Sequence, residues 1–283
     1  MSFETRHAET ALGRVAYFDE GKGDPLVFIH GLVGTRSHFM HVAPSFAERH
    51  RVIGLDLPGC GQSVKPRARV SIRLYADTLL AFLRGLGIER ATLVGHSAGG
   101  QVVATAAMLS PERVDKLVLI NSAGLRDYPL VVRMTGRAIM RPWLISRVLG
   151  PSAGWILRQI FHQKKNRFVE QFVADSTSER RDPELRRAAL RDMGKVFHDL
   201  APDLLTPSVR TNARRLAMPT LIVWGDRDRL VPLEAVRGIA RTFPDAQLQV
   251  IRDCGHMPMI EEPFATIDLM RAFLGAPSHA RVA

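Results

Sequence analysis

The pentapeptide Gly95-His96-Ser97-Ala98-Gly99 is the densest piece of chemistry in this chain. It follows the apolar run 91–94 and precedes a helix-compatible stretch that opens at Gly100-Gln101-Val102. A serine between glycines at a strand-to-helix turn sits on a sharp, strained backbone that pushes its hydroxyl out of the sheet edge. Gly95 and Gly99 suit that turn, because a Cβ at either place would crowd it. A hydroxyl is a weak nucleophile until a base takes its proton. His256 is the best-placed base, in a glycine-containing loop just after the stretch 247–251. An imidazole in that role needs a carboxylate to hold its tautomer and to stabilise the imidazolium. Asp226 and Asp228, just past the stretch 220–224, are the two candidates.

Such groups converge only if several strands deliver them to one place. Short apolar runs at 14–18, 26–30, 52–55, 91–94 and 117–120 read as strands. The runs 26–29 and 117–120 show no polar alternation, as expected of strands buried on both faces in a parallel sheet. Helical patterns lie between them, near 71–86 and 99–109, the latter stopping at Ser110-Pro111. After residue 218 the alternation resumes: strand at 220–224, helix at 233–242, strand at 247–251, helix at 264–274. Pro263 suits the first turn of that last helix, and Gly275 with Pro277 its stop. One α/β sheet with helices on both faces is therefore expected, built from 1–123 and 215–283. The intervening 124–214 contains no strand pattern and is expected to be an inserted helical cap. Asp182-Pro183-Glu184 there predicts an N-cap and a helix running to about residue 200.

The chain has 283 residues and a formal charge of +11, enough length for one large core, or for one core with a smaller insertion. No apolar run approaches the roughly 18 residues that span a bilayer. The start, Met1-Ser2-Phe3-Glu4-Thr5-Arg6-His7, lacks a basic-then-apolar leader pattern. Cys60 and Cys254 are the two cysteines, and neither has metal-ligand spacing, so free thiols in a cytoplasmic setting are expected. The charge is lopsided: residues 125–215 hold 18 Lys/Arg against 9 Asp/Glu. That excess suits either a solvated surface or attraction to an anionic lipid, substrate or carrier. Nucleic acid is not expected as a partner, because no stacking-aromatic or helix-turn-helix signature accompanies the charge.

Four motifs in order resemble the α/β-hydrolase superfamily. His30-Gly31, after the strand at 26–29, is similar to its oxyanion loop. Asp56-Leu57-Pro58-Gly59-Cys60-Gly61-Gln62-Ser63 resembles its D-x-x-G-x-G-x-S loop. The elbow at Ser97 comes third, and Gly225-Asp226-Arg227-Asp228 with Gly255-His256 resemble its acid and histidine motifs. The resemblance implies Ser97, Asp228 and His256 as a catalytic triad, the spacing G-x-x-D selecting Asp228 over Asp226. It implies the backbone amides of Leu32 and Ala98 as oxyanion donors. Some relatives carry the acid after the strand at 117–120, where this chain reads Asn121-Ser122-Ala123. His96 is expected to pack, His30 to shape the oxyanion loop, and Asp56 to organise its own loop through backbone amides.

A serine at the elbow argues against the aspartate-based dehalogenases and epoxide hydrolases of that superfamily. The expectation is a carboxylic-ester hydrolase working through an acyl-enzyme, on a small-molecule ester of medium-chain or lipid-like character. Carbon–carbon bond hydrolases, perhydrolases and acyltransferases share the triad, and noncatalytic ligand-binding members share the fold. No metal or organic cofactor is expected, since side chains and amides cover each step. Residues 126–167 interleave nine Lys/Arg with apolar residues such as Val131, Trp143, Leu144 and Trp155. That pattern suits an amphipathic helix at an anionic membrane surface, or an apolar face packed over the cleft with its arginines in water.

Overall fold

The computed structural model describes residues 3–32, 34–139, 158–178 and 183–275. Eight strands form one sheet: β1 (Arg6–Thr10), β2 (Gly13–Glu20), β3 (Asp24–Ile29), β4 (His50–Leu55), β5 (Ala91–His96), β6 (Val114–Ile120), β7 (Thr220–Gly225) and β8 (Ala246–Ile251). Their order across the sheet is β1-β2-β4-β3-β5-β6-β7-β8. Strand β2 runs against both of its neighbours, and every other pairing is parallel. All the strands expected from the apolar runs are present. Strand β1 was not foreseen, because its Arg-His-Ala-Glu-Thr sequence sits on an exposed edge and carries no apolar run.

The two faces of the sheet follow from strict side-chain alternation. Val27, Ile29, Ile53, Leu55, Leu93 and Leu119 lie in one core cluster. Leu26, Phe28, Val94, Val118, Leu221 and Val223 lie in another, on the opposite face. The first face is covered by α1 (Ile72–Gly85) and α2 (Ala98–Leu109), and the second by α7 (Pro263–Gly275), among others. Ser71 caps α1, accepting the Leu74 N–H at 3.1 Å, a role for which serine is among the preferred residues.

Among the described residues of 124–214 there are helices and no strand: α3 (Leu130–Ile139), α4 (Arg167–Ser178), α5 (Pro183–Leu204) and α6 (Ser208–Asn212). Helix α5 runs four residues past its expected end and takes Pro202 into its last turn. Two of its carboxylates bond the backbone where α1 begins: Asp199 accepts the Val70 N–H at 3.1 Å and Asp203 the Ile72 N–H at 2.8 Å. Of the basic, apolar stretch 126–167, residues 140–157, with Trp143, Leu144 and Trp155, lie outside the described residues. Leu130, Val131 and Val132 at the start of α3 are exposed. Among the described residues no helix is long and apolar enough to cross a membrane.

Candidate active site

Parallel pairing brings four strand ends to one edge. His96 lies beside Ile120, Ile120 beside Val223, and Gly225 beside Ile251. Ser97, Asn121, the Asp226–Asp228 turn and the loop carrying His256 therefore leave the sheet side by side, at the carboxyl ends where such sheets gather reactive groups. Among the described residues, the three non-glycine residues with positive φ are Ser97, Asn121 and Asp253. All three follow these same strand ends.

Ser97 alone turns the chain from β5 into α2, at φ 51° and ψ −118°. Its N–H donates to the Ile120 carbonyl at 3.0 Å, and its own carbonyl accepts from Ala123 at 2.9 Å. A Cβ on Gly99 would strike the carbonyls of Ile29 and His30, which is why the helix can start so close to the sheet. Ser97 keeps partial exposure, whereas His96 and Ala98 on either side are buried.

The loop after β3 runs against this elbow. A Cβ on Gly31 would lie 3.1 Å from the Ser97 Cβ and 2.8 Å from His96 Nδ1. Leu57 N–H donates to His30 Nε2 at 2.9 Å, so His30 carries its proton on Nδ1 and donates it to the Gly31 carbonyl at 2.7 Å. The Gly34 N–H bonds the same carbonyl at 3.1 Å. His30 thus shapes the loop, as expected, and burial lowers its pKa against the opposing pull of Asp56. The next amide along is that of Leu32. Ala98 opens α2, and the first N–H groups of a helix have no acceptor inside it.

His256 Nδ1 and Asp228 Oδ2 are 2.8 Å apart and both side chains are buried. The other carboxylate oxygen, Oδ1, accepts the N–H groups of Leu230 and Val231 at 2.7 and 3.1 Å. Asn121 Nδ2 donates to Oδ2 at 2.6 Å. Burial pushes the Asp228 carboxyl up, but His256, Asn121 and the Val231 N–H outweigh it and hold the pKa below the usual carboxylate range. Asp228 is therefore held as an anion facing the ring near neutral pH. Asp226 instead faces the Cys254 N–H at 3.4 Å and Arg227 at 3.8 Å.

His96 does more than pack. Its Nε2–H donates to the His256 carbonyl at 2.9 Å, tying the residue beside the serine to the histidine loop. Its Nδ1 is buried without a partner, and burial, with His256 nearby, keeps its pKa well below the ordinary imidazole value. Asp56 organises its loop as expected, accepting the Arg36 N–H at 2.7 Å and the Gln62 N–H at 2.9 Å and pairing with the Arg36 guanidinium. Cys60 and Cys254 are free, buried thiols. Met257 and Met259 belong to the core.

Two residues of the site escaped sequence reasoning. Asn121 is fully buried; besides its bond to Asp228 it accepts the Gly225 N–H at 3.2 Å. Glu261 is also fully buried, and its carboxylate accepts the Gly255 N–H at 3.0 Å. A signal for Asn121 was available in its place at the end of β6, level with the loops that carry Ser97, Asp228 and His256. Nothing local marks Glu261, which shares its stretch with Glu262 and Pro263.

Comparison with known proteins gives the family of the chain. A family model described as alpha/beta hydrolase fold matches residues 24–263. The 2-hydroxymuconate semialdehyde hydrolase of Pseudomonas sp. (strain CF600) is 30% identical over 284 residues, covering 95% of this chain and 93% of that protein. The dihydrolipoyllysine-residue acetyltransferase component of the acetoin cleaving system of Pseudomonas putida is 33% identical over 260 residues, covering 89% of this chain and 64% of the relative. Among solved structures, a putative lipase from Acinetobacter baumannii superposes with a TM-score of 0.79 at 22% identity, over 96% of this chain and 90% of that one. That likeness concerns the fold. With its eight-stranded, mostly parallel sheet, its loops at the carboxyl edge and a family match spanning most of its length, this chain belongs to the α/β-hydrolase fold family.

Proposed function

We propose that this protein is a serine hydrolase of carboxylic esters. The observation that carries the reading is the buried Asp228–His256 pair at 2.8 Å, bonded through the His256 carbonyl to the residue beside the strained, partly exposed Ser97. In this reading His256 takes the Ser97 proton as Oγ attacks the acyl carbonyl. The Leu32 and Ala98 amides receive the oxyanion, where one such donor contributes about 2.7–4 kcal/mol. His256 returns the proton to the departing alkoxide, leaving an acyl-serine. A water, deprotonated by the same ring, then releases the acid and restores the serine. Asp228 stays ionised throughout and offsets the imidazolium charge. A panel of nitrophenyl esters of rising acyl length, run on wild type and Ser97→Ala, tests it. The expected loss in the variant is at least about a thousandfold; equal rates would reject the serine as nucleophile.

A second reading, carbon–carbon bond hydrolysis, is favoured by the relative from Pseudomonas sp., which matches over nearly its whole length. Adding 2-hydroxymuconate semialdehyde to the panel separates the two: turnover of that compound above every ester would move the assignment. The substrate's setting is part of the same proposal. Leu130 and Val131 are 68% and 65% exposed, beside Arg126 and Arg133, as a segment meeting an anionic membrane surface would be. Co-sedimentation with anionic but not neutral vesicles is the expected result.

A further inference from the structure

His256 is mounted on a loop whose fastenings come partly from the insertion. The His256 N–H donates to the Ile160 carbonyl at 3.2 Å. One residue earlier, the Gly255 N–H donates to Glu261 Oε1. The other oxygen of that carboxylate, Oε2, accepts the N–H groups of His162 and Gln163 at 2.8 and 3.0 Å. One buried carboxylate thus grips the histidine loop with one oxygen and a turn of the insertion with the other. The packing leaves no slack: a Cβ on Gly255 would lie 2.7 Å from both Glu261 Oε1 and the His162 nitrogen, and 2.9 Å from the Ile160 carbonyl. The Asn166 amide closes the turn onto the Glu261 carbonyl at 2.8 Å.

From these contacts we infer that Glu261 is a positioning residue for His256, and that through it the 160–163 turn of the insertion holds the base against Asp228 and Ser97. A buried carboxylate costs free energy unless its lone pairs are filled. Here all the filling donors are backbone N–H groups, so the charge is satisfied only while loop and turn keep one relative position. Burial raises the Glu261 pKa and the N–H bonds return only part of that shift. The carboxylate therefore depends on the N–H groups of Gly255 and Met257 on the histidine loop and of His162 and Gln163 on the turn. Loosening the turn frees the Gly255–His256 backbone, and a displacement near 1 Å at a catalytic group costs about a hundredfold in rate. The insertion then contributes to the chemical step itself, beyond any part in binding substrate.

This inference rests on the proposed ester hydrolysis for its kinetic arm and is independent of it for its spectroscopic arm. The variants are Glu261→Gln, which keeps the shape but replaces one acceptor oxygen with a donor, and Glu261→Asp, which keeps the charge but shortens the reach. Active-site-titrated kcat and KM on nitrophenyl esters and the His256 Nδ1 proton resonance by NMR are compared with wild type, alongside the thermal midpoint. The expected result is a kcat lowered by about a hundredfold in Glu261→Gln with KM nearly unchanged. The Nδ1 proton resonance should shift or broaden, and Glu261→Asp should be intermediate. Unchanged kcat and resonance in folded Glu261→Gln would overturn the inference, even with a lower thermal midpoint. If Glu261→Gln does not fold, Glu261→Asp with wild-type kcat and resonance overturns it equally. A wild type inert toward every ester removes the proposed function but leaves the resonance to decide the role of Glu261.

Discussion

The side-chain amide of Asn121 and the imidazole of His256 meet at one atom: Asp228 Oδ2 lies 2.6 Å from Asn121 Nδ2 and 2.8 Å from His256 Nδ1. Asn121 reaches it from the end of β6 with φ at 41°, a backbone state that asparagine tolerates better than most residues. The carboxylate is thereby aimed by a neighbouring strand as well as by its own turn, and it retains its charge while buried.

Asp228→Asn should lose up to about ten-thousandfold in kcat, because an amide at that position favours the wrong imidazole tautomer. Asp226→Asn should stay close to wild type, since its contacts run to Cys254 and Arg227. Steady-state kinetics on both variants checks the pair, and the reverse order of damage would transfer the role to Asp226.

Asn121→Ala removes one of the two partners of Asp228 Oδ2 and strands the Gly225 N–H that Asn121 Oδ1 accepts. Leaving such a buried group unpaired costs about 1–3 kcal/mol. We expect a lower denaturation midpoint together with reduced kcat. A variant as stable and as active as wild type would show that water replaces the amide.

Ser97→Gly should abolish hydrolysis yet stabilise the protein. The φ and ψ of Ser97 lie in a region glycine occupies without penalty, and non-glycine residues held in such regions cost of order 1–3 kcal/mol. A chemical denaturation midpoint above that of wild type is expected, and one clearly below it would show that the hydroxyl makes stabilising contacts that outweigh the strain.

Acid should unfold the protein early. His30, His38 and His96 all have pKa values lowered chiefly by burial, His38 to about 3. They stay neutral in the fold, while the unfolded chain binds their protons near pH 6.5. Stability is complete above about 6.5 and falls as pH drops through that value toward the folded pKa, by about 1.4 kcal/mol per pH unit for each such group. The depressed pKa of Asp228 adds a loss below about pH 4. Glu261 has the opposite sign: its raised pKa makes its ionisation unfavourable in the fold, so its contribution weakens stability as pH rises above about 4.3. Three histidines outweigh one carboxylate, so denaturation midpoints should fall continuously from pH 7 to pH 4. His38→Phe should flatten that slope, and an unchanged slope would reject the buried-histidine account for residue 38.

Local rules were enough for the strands around Ser97 and for the elbow, because alternation, apolar runs and glycine spacing act over a handful of neighbouring residues. The same rules pointed to His256 as the base and narrowed the acid to two aspartates two positions apart. They could not register β1, whose polar sequence becomes a strand only because β2 offers it a hydrogen-bonding edge. Nor could they see that α5 bonds the start of α1 through Asp199 and Asp203, since carboxylates on a helix face ordinarily meet water.

What the amino-acid order determined by itself is the menu of candidate reactive groups and the strand ends that carry them, since propensity and side-chain alternation are short-range. What only the tertiary structure decided is which of those groups bear on one another. Asn121 meets Asp228 across 107 positions, and Glu261 joins Gly255 to a turn 98 and 99 positions away. Hydrogen bonds of that kind depend on placement to within an ångström, and that placement arises only when the packed sheet and helices hold distant backbone in register.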